Sequence, residues 1–204
     1  MKPQEIEELS FSIIDREAGS HGFDPGQWKI VQRMIHTSAD FDYLKSIRFH
    51  PDAVARGVQA LKNGCTIVTD TNMAKAGIRK KEIEAFGGRV DCFISHEDVV
   101  ETAKTQEMTR AAAAVDKACS IKGSLVFVIG NAPTALMRLL ENVRAGKGVP
   151  DLVIGLPVGF VNAAESKEDL VQTDIPFISN AGRKGGSNVA ASVVNALGIM
   201  ASQG

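Results

Sequence analysis

The residues best suited to chemistry lie in the segment "RMIHTSADFD", which runs from Arg33 to Asp42. His36 follows Lys29 by seven residues and Arg33 by three, so the three side chains share one stripe of a helix. Imidazole titrates near neutral pH and can exchange a proton, whereas the two cations stay charged and can hold an anionic substrate. The same spacing is typical of a solvated helix face, and periodicity alone leaves both interpretations open.

The helix that carries this stripe has a well-marked beginning. Asp24 is a natural N-cap, Pro25 suits the first helical position, and Gln27 stands where a capping box needs it. The phase of the helix can therefore be counted. Its core-facing residues are then Trp28, Val31 and Ile35.

Short apolar runs alternate with helix-period segments along most of the chain, which predicts β-α repeats. The predicted strands are "CTIVTD" (65–70), "RVDCFIS" (89–95), "SLVFVIG" (124–130), "DLVIGLP" (151–157) and "IPFISN" (175–180). Strands that are almost wholly apolar belong to parallel sheets covered on both faces. The sequence therefore predicts one three-layer α/β/α domain over 1–204, doubly wound around about five parallel strands. Residues 1–63 form a mainly helical N-terminal part and residues 64–204 form the β-α part.

In a doubly wound domain the ligand site lies at the carboxyl ends of the strands, where this chain is rich in small residues and polar donors. These segments read "DTNMAKAG", "SHED", "GNAPTAL", "GLPVGFVNAAESK" and "NAGRKGGSN". In "GNAPTAL", Pro133 predicts a helix start whose free amides favour an anion. In "GRKGGS", Arg183 and Lys184 suit a carboxylate. Simple helix punctuation and a solvated turn remain alternatives for the two segments, and neither matches a nucleotide-binding signature.

Composition excludes several classes of protein. A net charge of −1 gives no long-range field for nucleic acid or an acidic membrane, and no apolar run approaches the roughly 20 residues of a membrane span. The start "MKPQEIEELS" does not resemble a signal peptide, so we expect a cytoplasmic protein. The cysteines are odd in number and set among apolar neighbours, which predicts buried thiols rather than disulfides or a zinc site. They are Cys65, Cys92 and Cys119.

Beyond these patterns, the chain resembles the precorrin-8X methylmutases of corrin-ring biosynthesis, including the cobalt-precorrin-8 methylmutases. The matching strings lie in family order over nearly the whole chain, and the longest are highly specific. They are "SFSIIDREA", "VQRMIH", "TDTNMAKAGI", "MTRAAAAV", "VFVIGNAPTAL", "LVIGLPVGFVNAAESKEDL" and "GRKGGSNVAASVVNAL". The resemblance implies a flavodoxin-like fold and an isomerase that moves a methyl group from C11 to C12 of the macrocycle. No cofactor is implied, although the substrate itself may carry cobalt.

The resemblance also assigns residues. The family's catalytic histidine falls on His36, which would protonate or hydrogen-bond a pyrrolic nitrogen of the ring. Substrate contacts of the family fall on Ser10 and Arg33, with further candidates by position. These candidates are Arg110, Asn131, Thr134, Arg183, Lys184, Gly186 and Ser187.

A corrin precursor is a flat apolar ring fringed with carboxylates, and it needs an apolar slot with hydrogen-bond donors around its rim. Many family members carry an arginine where this chain has Leu9, which puts one rim contact in doubt. The resemblance implies a homodimer with the site near the interface. Two other functions remain open, a corrinoid carrier without catalysis and a nucleotide-binding enzyme of flavodoxin type.

The other polar residues near the predicted edge are weaker candidates. We expect structural or solvated roles for His21, His50 and His96. Asp70 ends the first predicted strand, as a phosphate-accepting aspartate does in receiver domains. The acidic pair that binds magnesium in such domains is missing, so this function is not favoured.

Overall fold

The computed structural model describes residues 2–203 and contains a six-stranded sheet. Its strands are β1 (Ile47–Phe49), β2 (Thr66–Thr69), β3 (Arg89–Asp91), β4 (Leu125–Ile129), β5 (Leu152–Gly155) and β6 (Phe177–Asn180). Its helices are α1 (Pro3–Ala18), α2 (Pro25–Ser38), α3 (Tyr43–Ser46), α4 (Ala53–Lys62), α5 (Asn72–Gly77), α6 (Lys80–Glu84), α7 (Glu97–Thr105), α8 (Arg110–Cys119), α9 (Pro133–Arg144), α10 (Ala163–Val171) and α11 (Ser187–Gln203). The predicted three-layer α/β fold is confirmed.

The strands lie in the order β1-β6-β5-β4-β2-β3. The five strands from β2 to β6 are parallel, and β1 pairs antiparallel with the outer strand β6. Counted among themselves, the parallel strands have the order 2-1-3-4-5, which is that of doubly wound sheets of flavodoxin type. All five therefore end at the same edge of the sheet, where a ligand site is expected.

Two apolar layers cover the sheet because alternate residues of each strand point to opposite faces. In β4, Val126 and Val128 belong to the core on the side of α2, α4 and α11, whereas Phe127 and Ile129 belong to the core on the other side. The buried stripe of α2 includes Val31 and Ile35, as the helical phase predicted, whereas Trp28 is only partly buried. None of the helices within residues 2–203 combines the length and apolarity needed to cross a membrane.

Two local features were not anticipated from the sequence. Ile47–Phe49, in the part expected to be mainly helical, forms a sixth strand, because three residues are too few for a clear period-2 pattern. Residues 97–120 form two helices, α7 and α8, with a break between them. Thr109 ends the break by capping α8, since its side chain accepts the amide hydrogen of Ala112. Of the three free cysteines, Cys65 and Cys92 are buried and Cys119 is only partly buried.

A buried carboxylate joins β2 to the turn that follows β4. Asp70 accepts hydrogen bonds from three successive backbone amides, at 3.1 Å from Gly130, 2.7 Å from Asn131 and 2.7 Å from Ala132. Burial raises the pKa of the Asp70 carboxyl, and the three amide bonds oppose that shift. Asp70 thus satisfies three backbone donors of the turn that leads from β4 into α9.

Replacing Asp70 by asparagine should destabilise the fold. The Asn side chain has one carbonyl oxygen, and its NH₂ group would face an amide N–H, so that a buried donor loses its acceptor. We expect Asp70→Asn to lower the free energy of unfolding by about 1–3 kcal/mol, measured by denaturant titration. The control Asp52→Asn alters an exposed aspartate whose side chain makes no capping bond, and it should stay within about 0.5 kcal/mol of the wild type. Equal stability of Asp70→Asn and wild type would contradict this role.

Candidate active site

His36 lies in the last turn of α2 and is exposed. Its Nδ1 atom is 2.8 Å from the hydroxyl oxygen of Ser10 on α1, within hydrogen-bonding distance. The ring also meets Phe11 edge-on, with 5.1 Å between the ring centroids. A ring nitrogen that is engaged fixes the role of the other, so Nε2 is left to act on a ligand.

Arg33 lies one turn before His36 and contacts the same phenylalanine. Its guanidinium carbon is 4.7 Å from the Phe11 ring centroid, and its Nη1 atom forms an ion pair with Glu7. A cavity of about 320 Å³ opens beside it, with Lys29 and Ile199 also in its wall. The structure thus brings together Ser10, Arg33 and His36, three residues that the sequence assigned to one site.

An ion-pair cluster fastens this end of α2 to the carboxyl edge of the sheet. The Lys184 ammonium, in the loop after β6, donates to Asp40 and to Asp42 at 2.6 Å each. Asp40 directly follows Ala39, the left-handed residue that ends α2, and Asp42 comes two residues later. Partial burial opposes ionisation of Asp40, but the bond from Lys184 holds its pKa below the usual range, and both carboxylates raise the pKa of Lys184. The charge of Lys184 is therefore already balanced within the chain.

The loop after β6 contains four of the predicted contact residues. Arg183 is exposed, and its guanidinium carbon lies 5.5 Å from the Phe160 ring centroid. Gly186 has a φ of 136°, which suits glycine, and its amide donates to Leu156. Ser187 is buried, with its hydroxyl 2.8 Å from that of Thr71. Arg183 is thus the member of this group that is free to meet a ligand.

Close backbone packing joins this loop to the end of β4. A Cβ atom on Gly130 would lie 2.7 Å from the Ser187 Cα and 2.8 Å from the Ser187 amide nitrogen. Only glycine therefore allows the two segments to approach so closely. The small residues noted in the sequence serve this packing between loops.

The "GNAPTAL" segment starts a helix as predicted, with Pro133 in the first turn of α9. The anion at this turn is the protein's own Asp70, which occupies the amides of Gly130, Asn131 and Ala132. Those amides are therefore not available to a substrate. The Asn131 side chain is exposed, and Asp70 binds only the backbone amide of this residue.

Arg110 is brought to the same region by a contact between two helix starts. The Thr109 hydroxyl at the N-cap of α8 donates to the Thr134 hydroxyl at 2.9 Å. Arg110, the next residue, is exposed. Arg110, Asn131 and Thr134 thus share one end of the sheet.

The carboxyl edge also exposes apolar side chains that sequence reasoning did not single out. Phe160 is 83% exposed, Val161 is 76% exposed and Met73 is 70% exposed. Val161 and Phe160 follow β5, and Met73 follows β2. Exposed apolar side chains at a sheet edge are typical of places where a ligand or another protein binds.

Lys167 on α10 was also missed as an individual residue. It is 1% exposed, and burial lowers the pKa of its ammonium to about 8. A signal was present in the sequence, since Lys167 falls in a stripe of buried positions spaced by three and four residues. The stripe is Ala163, Ser166, Lys167 and Leu170. Within residues 2–203, no group of three His, Cys, Asp or Glu side chains could hold a metal ion.

Known proteins resemble this chain over its whole length. A model of the precorrin-8X methylmutase family matches residues 5–200. Cobalt-precorrin-8 methylmutase of Priestia megaterium is 48% identical over 204 residues, which cover 100% of this chain and 91% of the relative. Precorrin-8X methylmutase of Pseudomonas aeruginosa is 41% identical over 196 residues, which cover 95% of this chain and 94% of the relative.

A solved structure agrees with these relatives. The precorrin-8X methylmutase of Thermus thermophilus superposes with a TM-score of 0.90 at 41% sequence identity, covering 98% of this chain and 97% of the other. Fold, length and sequence therefore point to the same group. The chain belongs to the precorrin-8X methylmutase family.

Proposed function

We propose that this protein is an isomerase that moves a methyl group from C11 to C12 of precorrin-8X or of cobalt-precorrin-8, in cobalamin biosynthesis. The observation that carries the proposal is the exposed imidazole of His36, which is held through Nδ1 by Ser10 and lies beside Arg33. Relatives that match nearly the full chain carry the names of both methylmutases.

In the proposed reaction the Nε2 atom of His36 gives a proton or a hydrogen bond to a pyrrolic nitrogen of the macrocycle. This draws electron density from the conjugated system through which the methyl group migrates. Because the reaction is an isomerisation, any proton given to the ring returns to the imidazole afterwards. The Ser10 hydroxyl keeps the ring in one orientation through Nδ1. No cofactor is needed, and cobalt enters only as part of the substrate.

The substrate's carboxylates would be bound by arginines around the site. Arg183 and Arg110 are exposed at the carboxyl edge, and Arg33 lies in the wall of the cavity next to α2. Guanidinium groups form short, directional bonds with carboxylates. The apolar face of the macrocycle would meet Phe160 and Met73, which are exposed at the same edge.

The protein would act as a homodimer in the cytoplasm. Val161, the residue after Phe160, is 76% exposed and supports a partner surface that borders the site, because exposed apolar area is costly in water. Unpaired cysteines support a reducing compartment.

Removal of the imidazole should abolish turnover and spare binding. We expect His36→Ala to lower the single-turnover rate about 10²- to 10⁴-fold, followed by the change in the visible spectrum as conjugation of the ring changes. Affinity for the product should stay near that of the wild type, because the contacts to the carboxylates remain.

The matched control for this experiment is His96→Ala, which alters an exposed histidine at the start of α7 and should turn over normally. Loss of binding with an unchanged rate would contradict the role of His36. A folded wild-type protein that binds corrinoids without converting them would instead identify a carrier.

Loss of charge at Arg33 should weaken binding. Arg33→Met removes a donor to a substrate carboxylate, and we expect the binding free energy of the product to fall by about 1.5–3 kcal/mol, measured by calorimetric titration. The control Arg16→Met changes an exposed arginine in the last turn of α1 and should bind as the wild type does. Unchanged affinity of Arg33→Met would exclude it as a carboxylate contact.

A further inference from the structure

Lys167 is a cation inside the protein. It is 1% exposed, and among residues 2–203 its hydrogen-bond partners are neutral oxygens rather than carboxylates. Burial of a charged group without an opposite charge costs free energy. Buried charges of this kind occur where their hydrogen bonds have a structural or functional role. The same burial lowers the pKa of the Lys167 ammonium to about 8.

The two acceptors of Lys167 belong to one stretch of chain. The Nζ atom donates to the Asn180 side-chain oxygen at 3.1 Å and to the Lys184 carbonyl oxygen at 2.7 Å. The side-chain Nδ2 atom of Asn180 donates to the same Lys184 carbonyl oxygen at 3.0 Å and to the Ala181 carbonyl oxygen at 3.2 Å. Lys167 and Asn180 thus close the loop 181–184 from its inner side.

This loop is where two parts of the proposed site are joined. Its outer side carries Arg183, next to Phe160, and the ammonium of Lys184, which binds Asp40 and Asp42 beyond the end of α2. A shift of the Lys184 backbone would move Arg183 and would loosen the attachment of the helix end that bears His36.

We propose that Lys167 is a positioning residue for the methyl shift, which holds the loop 181–184 so that Arg183 and the end of α2 keep their places around the substrate. The inference rests on the proposed function for the roles of Arg183 and His36. Lys167 itself is buried and acts only through these neighbours.

The chemistry of the side chain explains why a lysine stands here. Its stem packs along the buried stripe of α10, and its terminal nitrogen carries three hydrogens that can reach two oxygens at once. A methionine would fill a similar space but would leave the Lys184 carbonyl oxygen with a single donor, the side-chain Nδ2 atom of Asn180.

The first test measures the loop directly. In Lys167→Met, hydrogen exchange of the backbone amides in residues 181–186 should quicken about tenfold, the change expected from the loss of one hydrogen bond to a charged group. Exchange in the central strand β4 should stay as it is in the wild type. Lys62→Met makes the same chemical change at an exposed position at the end of α4, and it should leave the loop unchanged.

The second test separates positioning from general stability. In Lys167→Met the KM should rise about tenfold and the affinity for the product should fall to the same extent. In an Arg183→Ala background the same substitution should raise the KM by less than tenfold, because the part of the loss that acts through Arg183 is already gone and only the part that acts through the end of α2 remains. Fully additive losses, or equal KM values for Lys167→Met and Lys62→Met, would overturn the proposal.

The outcomes also separate this inference from the proposed function. Should Lys167→Met fail to fold, Lys167→Gln keeps an amide donor but falls short of the Lys184 carbonyl, and it should show the same loosening of residues 181–186. Unchanged exchange in the folded variant would overturn the role of Lys167 while wild-type turnover stands. A wild type that does not convert the substrate, with a loop that still loosens, would overturn the proposed function alone.

Discussion

The attachment of α2 to the carboxyl edge of the sheet is the constraint on which the proposed site depends. Helix α2 belongs to none of the crossovers between parallel strands, so the sheet topology does not fix where its last turn lies. Packing of its buried residues, among them Val31 and Ile35, against α11 places the helix, and the Lys184 ion pairs with Asp40 and Asp42 tie its end to the loop after β6. Through them the imidazole of His36 is placed relative to the same sheet edge that carries Arg183 and the exposed apolar side chains.

Charged groups inside the fold are used to hold backbone rather than to bind ligand. Asp70 satisfies three amides at the start of α9, and Lys167 satisfies oxygens in the loop after β6. Both groups carry the cost of burial, which raises the pKa of the acid and lowers that of the amine. In return, these buried groups fix the positions of two segments without regular structure, the turn before α9 and the loop after β6. Arg183 and Arg110, by contrast, are exposed, and they are the cations proposed to bind the carboxylates of a substrate.

Much of the fold could be predicted from residue patterns. The apolar runs identified the five parallel strands, and the capping residues of α2 gave its start and its buried stripe. The cluster of His36 with Arg33 followed from helical spacing, while Ser10 entered through resemblance to a family. The edge strand β1 escaped notice because three residues in an antiparallel pair leave little pattern. The break between α7 and α8 escaped because the polar residues around Thr109 also fit an exposed helix face.

The sequence by itself determined the layers of the protein, the sheet edge at which a site is expected and the helix stripe that carries His36, because these follow from local periodicity and chain connectivity. Only the tertiary structure decided how the charges pair. The amides expected to hold an anion belong to Asp70, Lys184 is bound to two aspartates, and Ser10 contacts His36. Such pairings join residues far apart in the chain, and no local pattern records which donor will meet which acceptor once the loops have packed.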